Sequence, residues 1–176
     1  MSAIEVIAKP VFGKIEADWL SKLRENRAHS PGSPEFTLVF PGSESTANEI
    51  VQHVRAVCTT TTRIRFCLRS AVIVPDMGQY HVFLVPDEGF GAIVRLHDRL
   101  HVGPLKNSLR PEEPYIPHLT IASLSEFNLA RRIKASLNAQ DLAIAGHIDE
   151  LEVQQRDGAT PRCIAKITLV RHGLFH

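Results

Sequence analysis

Two stretches of the chain are near-copies of each other. SPEFTLVFP occupies residues 33–41 and PYIPHLTIA occupies 114–122, and each places a threonine three residues after a proline and then continues in apolar β-formers. Side chains alternate faces along a strand. In the later copy His118 and Thr120 therefore share one face and Leu119 and Ile121 the other. In the earlier copy Glu35 and Thr37 share a face, with Phe36, Leu38 and Phe40 opposite. Each apolar row has to be covered by helices. The two polar rows then face the other way and, brought together by pseudo-symmetry, line one groove.

The frame around the motifs repeats as well. Ile4 to Lys9 reads as a short strand stopped by Pro10, and residues 12–28 carry helix periodicity with Phe12, Ile15, Trp19, Leu20 and Leu23 on one stripe. HSPGSP at 29–34 is a turn-rich break before the first motif strand, which Pro41 and Gly42 end. A helix capped by Ser45 or Thr46 follows, with Ile50, Val54 and Val57 buried. Strands at 63–75 and 79–86 flank the hairpin signal DMG. A helix over 89–101 turns Ile93, Leu96 and Leu100 inward, and a polar, proline-rich connection spans 103–114.

The second half follows the same plan. YIPHLTIASL is a strand, and SEFNLARRIKASL is a helix with Phe127, Ala130, Ile133 and Leu137 on one face. Ser125 and Asn128 form only a partial capping signal. LAIAGHIDELEVQQ and RCIAKITLVRHG read as two strands across the turn RDGATP. Strand–helix–strand–strand thus occurs twice, with repeat halves at about 30–102 and 112–172. The period is too long and the copies too few for a solenoid. The expected fold class is α+β: a single bilobal domain over 1–176, built as two pseudo-symmetric lobes, each an antiparallel sheet with outer helices, facing a central cleft.

Composition narrows the function classes. The 176 residues are 44% hydrophobic and 22% charged with a net charge of +1, so no overall field draws the chain to nucleic acid or membrane. No run approaches the roughly 20 apolar residues of a membrane span, and MSAIEVIAKP lacks the basic and apolar regions of a signal peptide. The three cysteines, Cys58, Cys67 and Cys163, have no C-x-x-C spacing. They read as buried hydrophobes, and a cytoplasmic location follows. DEGFGA contains G-x-G without the G-K-[ST] of a phosphate loop, and no nucleophile elbow is present.

The polar rows suggest phosphate chemistry. A hydroxyl donates to a non-bridging oxygen, and imidazole moves protons near neutral pH. Two such sets on opposite sides of one phosphorus permit in-line displacement, with general acid–base help of about 10²–10⁴-fold per group. Arg65 and Arg69 alternate with Ile64, Phe66 and Leu68, which offers them to the groove as phosphate ligands, against the plainer reading of a solvated strand face. Lys166 offers charge by the same logic. Tyr115 is a candidate for stacking a base, whereas Phe36 has core phase.

Together, the doubled His-x-Thr-like motif, the frame, and the segments YHVFLVPDEGF, RLHDRL and YIPHLTIA resemble the two-histidine phosphoesterase superfamily, which includes 2′-5′ RNA ligase-like proteins and cyclic nucleotide phosphodiesterases. The resemblance runs over roughly 4–172. It implies catalytic roles for His118, Thr120 and Thr37, with Glu35 standing where the first motif has histidine. It also implies a nucleotide or RNA ligand with a cyclic phosphate or 2′-5′ linkage, a monomer, and no cofactor or metal. Glu35 suits the base, which leaves His118 the acid. His29 is a distant substitute for the missing imidazole. The alternative is a nucleotide- or RNA-end-binding module whose catalysis ended with Glu35.

Two other histidine sets compete. His97 and His101 stand at i and i+4, the spacing of metal ligands, but no third ligand is evident and the reading is of an exposed helix surface away from the groove. His81 on YHVFLVP reads as a structural, hydrogen-bonded residue.

Overall fold

The computed structural model describes residues 3–25, 32–42 and 44–171; His29 lies outside them. The chain runs β1 (Ala3–Ala8), β2 (Val11–Phe12), α1 (Lys14–Glu25), β3 (Phe36–Val39), α2 (Ala47–Cys58), β4 (Ile64–Asp76), β5 (Gln79–Pro86) and α3 (Phe90–Leu100). A 3₁₀ turn follows at Gly103–Ser108, then β6 (Leu119–Leu124), α4 (Phe127–Asn138), β7 (Ile144–Ile148), β8 (Glu150–Arg156) and β9 (Arg162–Thr168).

These strands form two antiparallel sheets. The first has the order β3-β1-β8-β9 and the second β2-β7-β4-β5-β6. Helices α2 and α3 pack on the first sheet, and α1 and α4 on the second. The fold is α+β with two sheets and outer helices. The sequence halves are not the lobes, however. β3 comes from the first half and β8 and β9 from the second, yet all three lie in the first sheet. β4 and β5 likewise share the second sheet with β6.

This exchange explains why LAIAGHIDELEVQQ is two strands rather than one. β7 pairs with β4 in the second sheet, and β8 pairs with β1 and β9 in the first. The chain crosses at Asp149. There Arg63 Nη2 donates to Asp149 Oδ2 at 3.2 Å, and His147 Nε2 lies 3.1 Å from the same oxygen. Ile148 before the crossing and Leu151 after it are both fully buried, so the apolar run continues through a change of sheet.

Local chemistry accounts for most boundaries. Thr46 and Glu49 close a capping box on α2: Thr46 N–H donates to Glu49 Oε2 at 2.9 Å and Glu49 N–H to Thr46 Oγ1 at 3.3 Å. The β4–β5 hairpin turns on Met77 and Gly78, at φ 45° and 77°, as a tight turn with two left-handed residues requires. Gly89 (φ 85°) precedes α3, where an added Cβ would stand 2.3 Å from the Arg65 carbonyl oxygen.

Two helical expectations change. The first helix starts at Lys14, because Phe12 pairs in β2 and its ring meets Phe66 edge-on at 5.7 Å. Ile15 consequently faces solvent at 82% exposure, and Leu20 carries the buried contact. In α4, Ala130, Ile133 and Leu137 are buried as expected. Phe127, in the first turn, is half exposed and leans on Tyr80, with ring centroids 5.2 Å apart.

Beyond Leu68, β7 no longer accompanies β4, and the edge is satisfied by a side chain instead. Asn138, the last residue of α4, accepts from Ala71 N–H at 2.7 Å and donates to Ala71 C=O at 2.9 Å. One amide thus supplies both partners a neighbouring strand would give. Asn138→Ala strands both backbone groups, and a loss of about 1–3 kcal/mol in urea unfolding is expected; Asn138→Asp keeps the acceptor but loses the donor and falls between.

Candidate active site

The inner faces of the two sheets enclose an open cleft of about 790 Å³, within the range of about 300–1,000 Å³ typical of small-molecule sites. The alternation read from the sequence holds from Phe36 to Leu38 and from Leu119 to Ile121, but Phe40, expected on the apolar face, is only partly buried and lines the cleft. Phe36 and Leu38 are fully buried while Thr37 is half exposed, and Leu119 and Ile121 are fully buried while His118 and Thr120 are half exposed. Glu35, Thr37, His118 and Thr120 all line the cleft, the first two from the first sheet and the others from the second.

His118 has a defined tautomer. Its Nδ1 lies 2.7 Å from the Ile116 carbonyl oxygen, which only accepts, so Nδ1 carries the proton and Nε2 keeps a lone pair when the ring is neutral. Its ring stacks on Phe83 at 3.6 Å, and Phe83 lies parallel to His81 at 5.9 Å. Burial pushes the His118 pKa down, helped by His81, against the opposing bond to Ile116. Glu35 moves the other way. Burial raises its carboxyl above the ordinary range, and Glu5 adds to this, while Lys9 and Arg156 oppose it. The imidazole is therefore disposed to be neutral and the carboxyl to hold a proton. Both shifts favour the uncharged forms, whereas Glu35 as base and His118 as acid would each act from the charged form.

Behind Glu35 and Thr37 the first sheet carries a paired network. Buried Glu5 accepts from Arg156 Nε at 2.8 Å, and buried Glu152 lies 3.3 Å from Lys9 Nζ and 3.6 Å from Lys166 Nζ. Lys166 is thus matched to a carboxylate rather than held in reserve for a ligand.

Arg65 and Arg69 do not line the cleft. Arg65 is exposed near the start of β4, opposite His147, and Arg69 sits at the β-bulge between Leu68 and Ser70, 3.3 Å from Asp87. The local alternation holds, with Ile64, Phe66 and Leu68 buried and both arginines exposed, but β4 reaches the cleft only at its far end, through Val74, Pro75 and Asp76. Among the described residues the arginines that do line it are Arg24, at the end of α1, and Arg110, whose guanidinium lies 4.8 Å over the Phe40 ring. Neither had a strand pattern to betray it.

Tyr115 reaches the cleft but is committed elsewhere. Its hydroxyl donates to the Thr37 carbonyl at 3.0 Å, and its ring stacks on His97 at 3.9 Å. Burial raises its pKa. The ring braces the first motif instead of presenting a free platform for a base. His97 and His101 are also not on the surface. Each is 7% exposed, both line the inner end of the cleft, and His101 Nδ1–H donates to the His97 carbonyl at 2.8 Å. They adjoin the buried stripe of Ile93, Leu96 and Leu100, and so turn inward with it. Among the described residues no group of three or more His, Cys, Asp or Glu side chains is placed to hold a metal. His81, read as structural, lines the cleft with its Nδ1 2.7 Å from Ser123 Oγ.

Fold and cleft together define a bilobal α+β protein with the two threonine motifs facing one groove. The chain belongs to the 2′-5′ RNA ligase superfamily, whose model matches residues 11–160. Solved structures that share the fold include the following. Escherichia coli LigT complexed with 3′-AMP has a TM-score of 0.60 and 13% identity, covering 96% of this chain and 99% of that one. The same protein complexed with NADP⁺ has a TM-score of 0.61 and 11% identity, covering 96% and 98%. Kluyveromyces marxianus Usb1 with uridine monophosphate has a TM-score of 0.56 and 6% identity, covering 95% and 98%. No curated protein matches the sequence. Among the described residues no helix is long and apolar enough to cross a membrane.

The brace at Thr37 is directly testable. Tyr115→Phe removes one hydrogen bond and leaves the ring on His97; a loss of about 0.5–1.5 kcal/mol in chemical denaturation is expected. Hydrogen exchange should quicken in β3 before it does in β6.

Proposed function

We propose that the protein is a phosphoesterase that opens cyclic phosphates or cleaves 2′-5′ phosphodiester linkages of nucleotides or RNA, using its own side chains as acid and base. The observation that carries this reading is the convergence of Glu35, Thr37, His118 and Thr120 on one open cleft in a chain of this superfamily. The nucleotides in LigT and Usb1 support a nucleotide ligand here.

The two threonine hydroxyls donate to the non-bridging oxygens. His118 Nε2 removes the proton from the attacking water or ribose hydroxyl, whose oxygen bonds to phosphorus. The bond from phosphorus to the leaving oxygen breaks, and that oxygen takes the proton of the Glu35 carboxyl. A protonated Glu35 also avoids repelling the phosphodiester, which for two unit charges 4 Å apart amounts to about 4 kcal/mol at an effective dielectric near 20.

This division has a pH signature. The base is active above the lowered pKa of His118, and the acid is active below the raised pKa of Glu35. Activity should therefore rise and then fall across mildly acidic pH, peaking below neutrality. Glu35→His, which puts a group of ordinary pKa near 6.5 in place of the carboxyl, should move the falling limb toward neutral pH. An unmoved limb assigns that limb to another group.

A panel of 2′,3′-cyclic nucleotides and 2′-5′-linked dinucleotides tests the reading as a whole. Turnover that His118→Ala lowers about 10²–10⁴-fold supports it. No turnover with any substrate, alongside nucleotide binding by calorimetry, favours the second reading, that Glu35 has left a nucleotide- or RNA-end-binding module. That reading draws on the carboxylate at the first motif.

A further inference from the structure

The cleft presents a phosphate ligand with an electrostatic difficulty. Glu5 and Glu152 stand behind its first-sheet wall, and the cations nearest them are already engaged by them. Of the two arginines that line the cleft among the described residues, Arg110 lies over the Phe40 ring and 3.7 Å from Glu113. Arg24 differs. Among the described residues it has no carboxylate within ion-pair distance. Its Nη1 donates to the Gly32 carbonyl at 2.9 Å, and its Nε is buried without a hydrogen-bond partner among the described residues.

A guanidinium presents its donors in a planar fork that matches an oxyanion. Here the Gly32 carbonyl holds one Nη, while Nε goes unmatched. A buried donor without an acceptor is costly, and so is a half-buried cation without an anion. Burial lowers the Arg24 pKa, and Glu35 is the charge that opposes this, so the cation stands in the field of the first motif.

We infer that Arg24 is an anion-binding residue of the cleft, donating from its guanidinium to a phosphate oxygen of the ligand beside Glu35. It supplies the positive charge that the first motif lacks when histidine gives way to glutamate. The inference rests on the cleft being the ligand site, and it names one class of ligand group, a phosphate. It does not require turnover.

The test is titration calorimetry of the full chain with inorganic phosphate and with 3′-adenosine monophosphate, at low and at physiological ionic strength. Arg24→Met is expected to weaken both ligands tenfold or more and to flatten the salt dependence. Arg24→Lys, which keeps the charge but not the fork, should recover part of the loss. Arg65→Ala, outside the cleft, should change neither. Wild-type affinity in a folded Arg24→Met protein overturns the proposal and leaves Arg24 as a latch on Gly32. Should Arg24→Met fail to fold, the wild-type protein decides: phosphate should shift the Arg24 Nε–H resonance in an NMR titration, and a resonance that stays in place overturns the proposal. Phosphate binding through Arg24 without turnover upholds the anchor and removes the catalytic reading. Turnover with binding indifferent to Arg24→Met does the reverse. A wild-type protein that binds neither ligand removes both.

Discussion

The crossing at Asp149 is the constraint on which the cleft depends. One apolar run leaves the second sheet at Ile148 and enters the first at Glu150, held by the contacts of Asp149 with Arg63 and His147. β8 then lies between β1 and β9, at the centre of the first sheet, while β7 lies between β2 and β4 in the second. The two sheets are therefore stitched by the backbone itself, and the angle between their inner faces is not left to side-chain packing alone. Catalytic or binding groups on separate sheets need such a frame, because small displacements cost large factors in rate.

Within that frame, opposite environments act on the two motifs. The His118 ring is fixed by a carbonyl on one nitrogen and by Phe83 on its face, in surroundings that favour its neutral form. Glu35 stands near other carboxylates in a partly desolvated position that favours the acid. Separating two titratable groups in this way is how proteins assign a base and an acid. At ordinary pKa values a carboxylate is the base and imidazolium the acid, which is the division that chemical type alone suggests.

Much of the fold was legible because its signals are local. The alternation in FTLV and LTIASL, the Thr46–Glu49 box and the hairpin at Asp76–Gly78 each depend on a few neighbouring residues, and each appears in the structure. What the sequence hid is non-local. Nothing in LAIAGHIDELEVQQ marks a change of sheet, since β-forming residues run on through the crossing, with Ile148 and Leu151 both buried on either side of it. Alternation places Arg65 and Arg69 opposite the buried Ile64, Phe66 and Leu68, but not how far along β4 the cleft lies, and it meets the strand only at Val74 to Asp76. Arg24 carries no motif at all, and only the packing of α1 brings it to the cleft. His97 and His101 looked like surface residues because polarity was weighed over their position beside the α3 apolar stripe, and Tyr115 looked available because its partner, the Thr37 carbonyl, is far away in sequence.

The strand exchange also bears on how such a molecule can change over evolutionary time. A tandem duplication whose copies each kept a whole sheet could later lose one copy and survive as a half-sized ancestor. Here the second copy supplies the middle of the sheet that carries the first copy's motif strand, and the first copy supplies most of the sheet that carries the second's. Deleting either removes structure from both. The two motifs are thus free to diverge in chemistry, as glutamate and histidine have, while the architecture that joins them cannot revert.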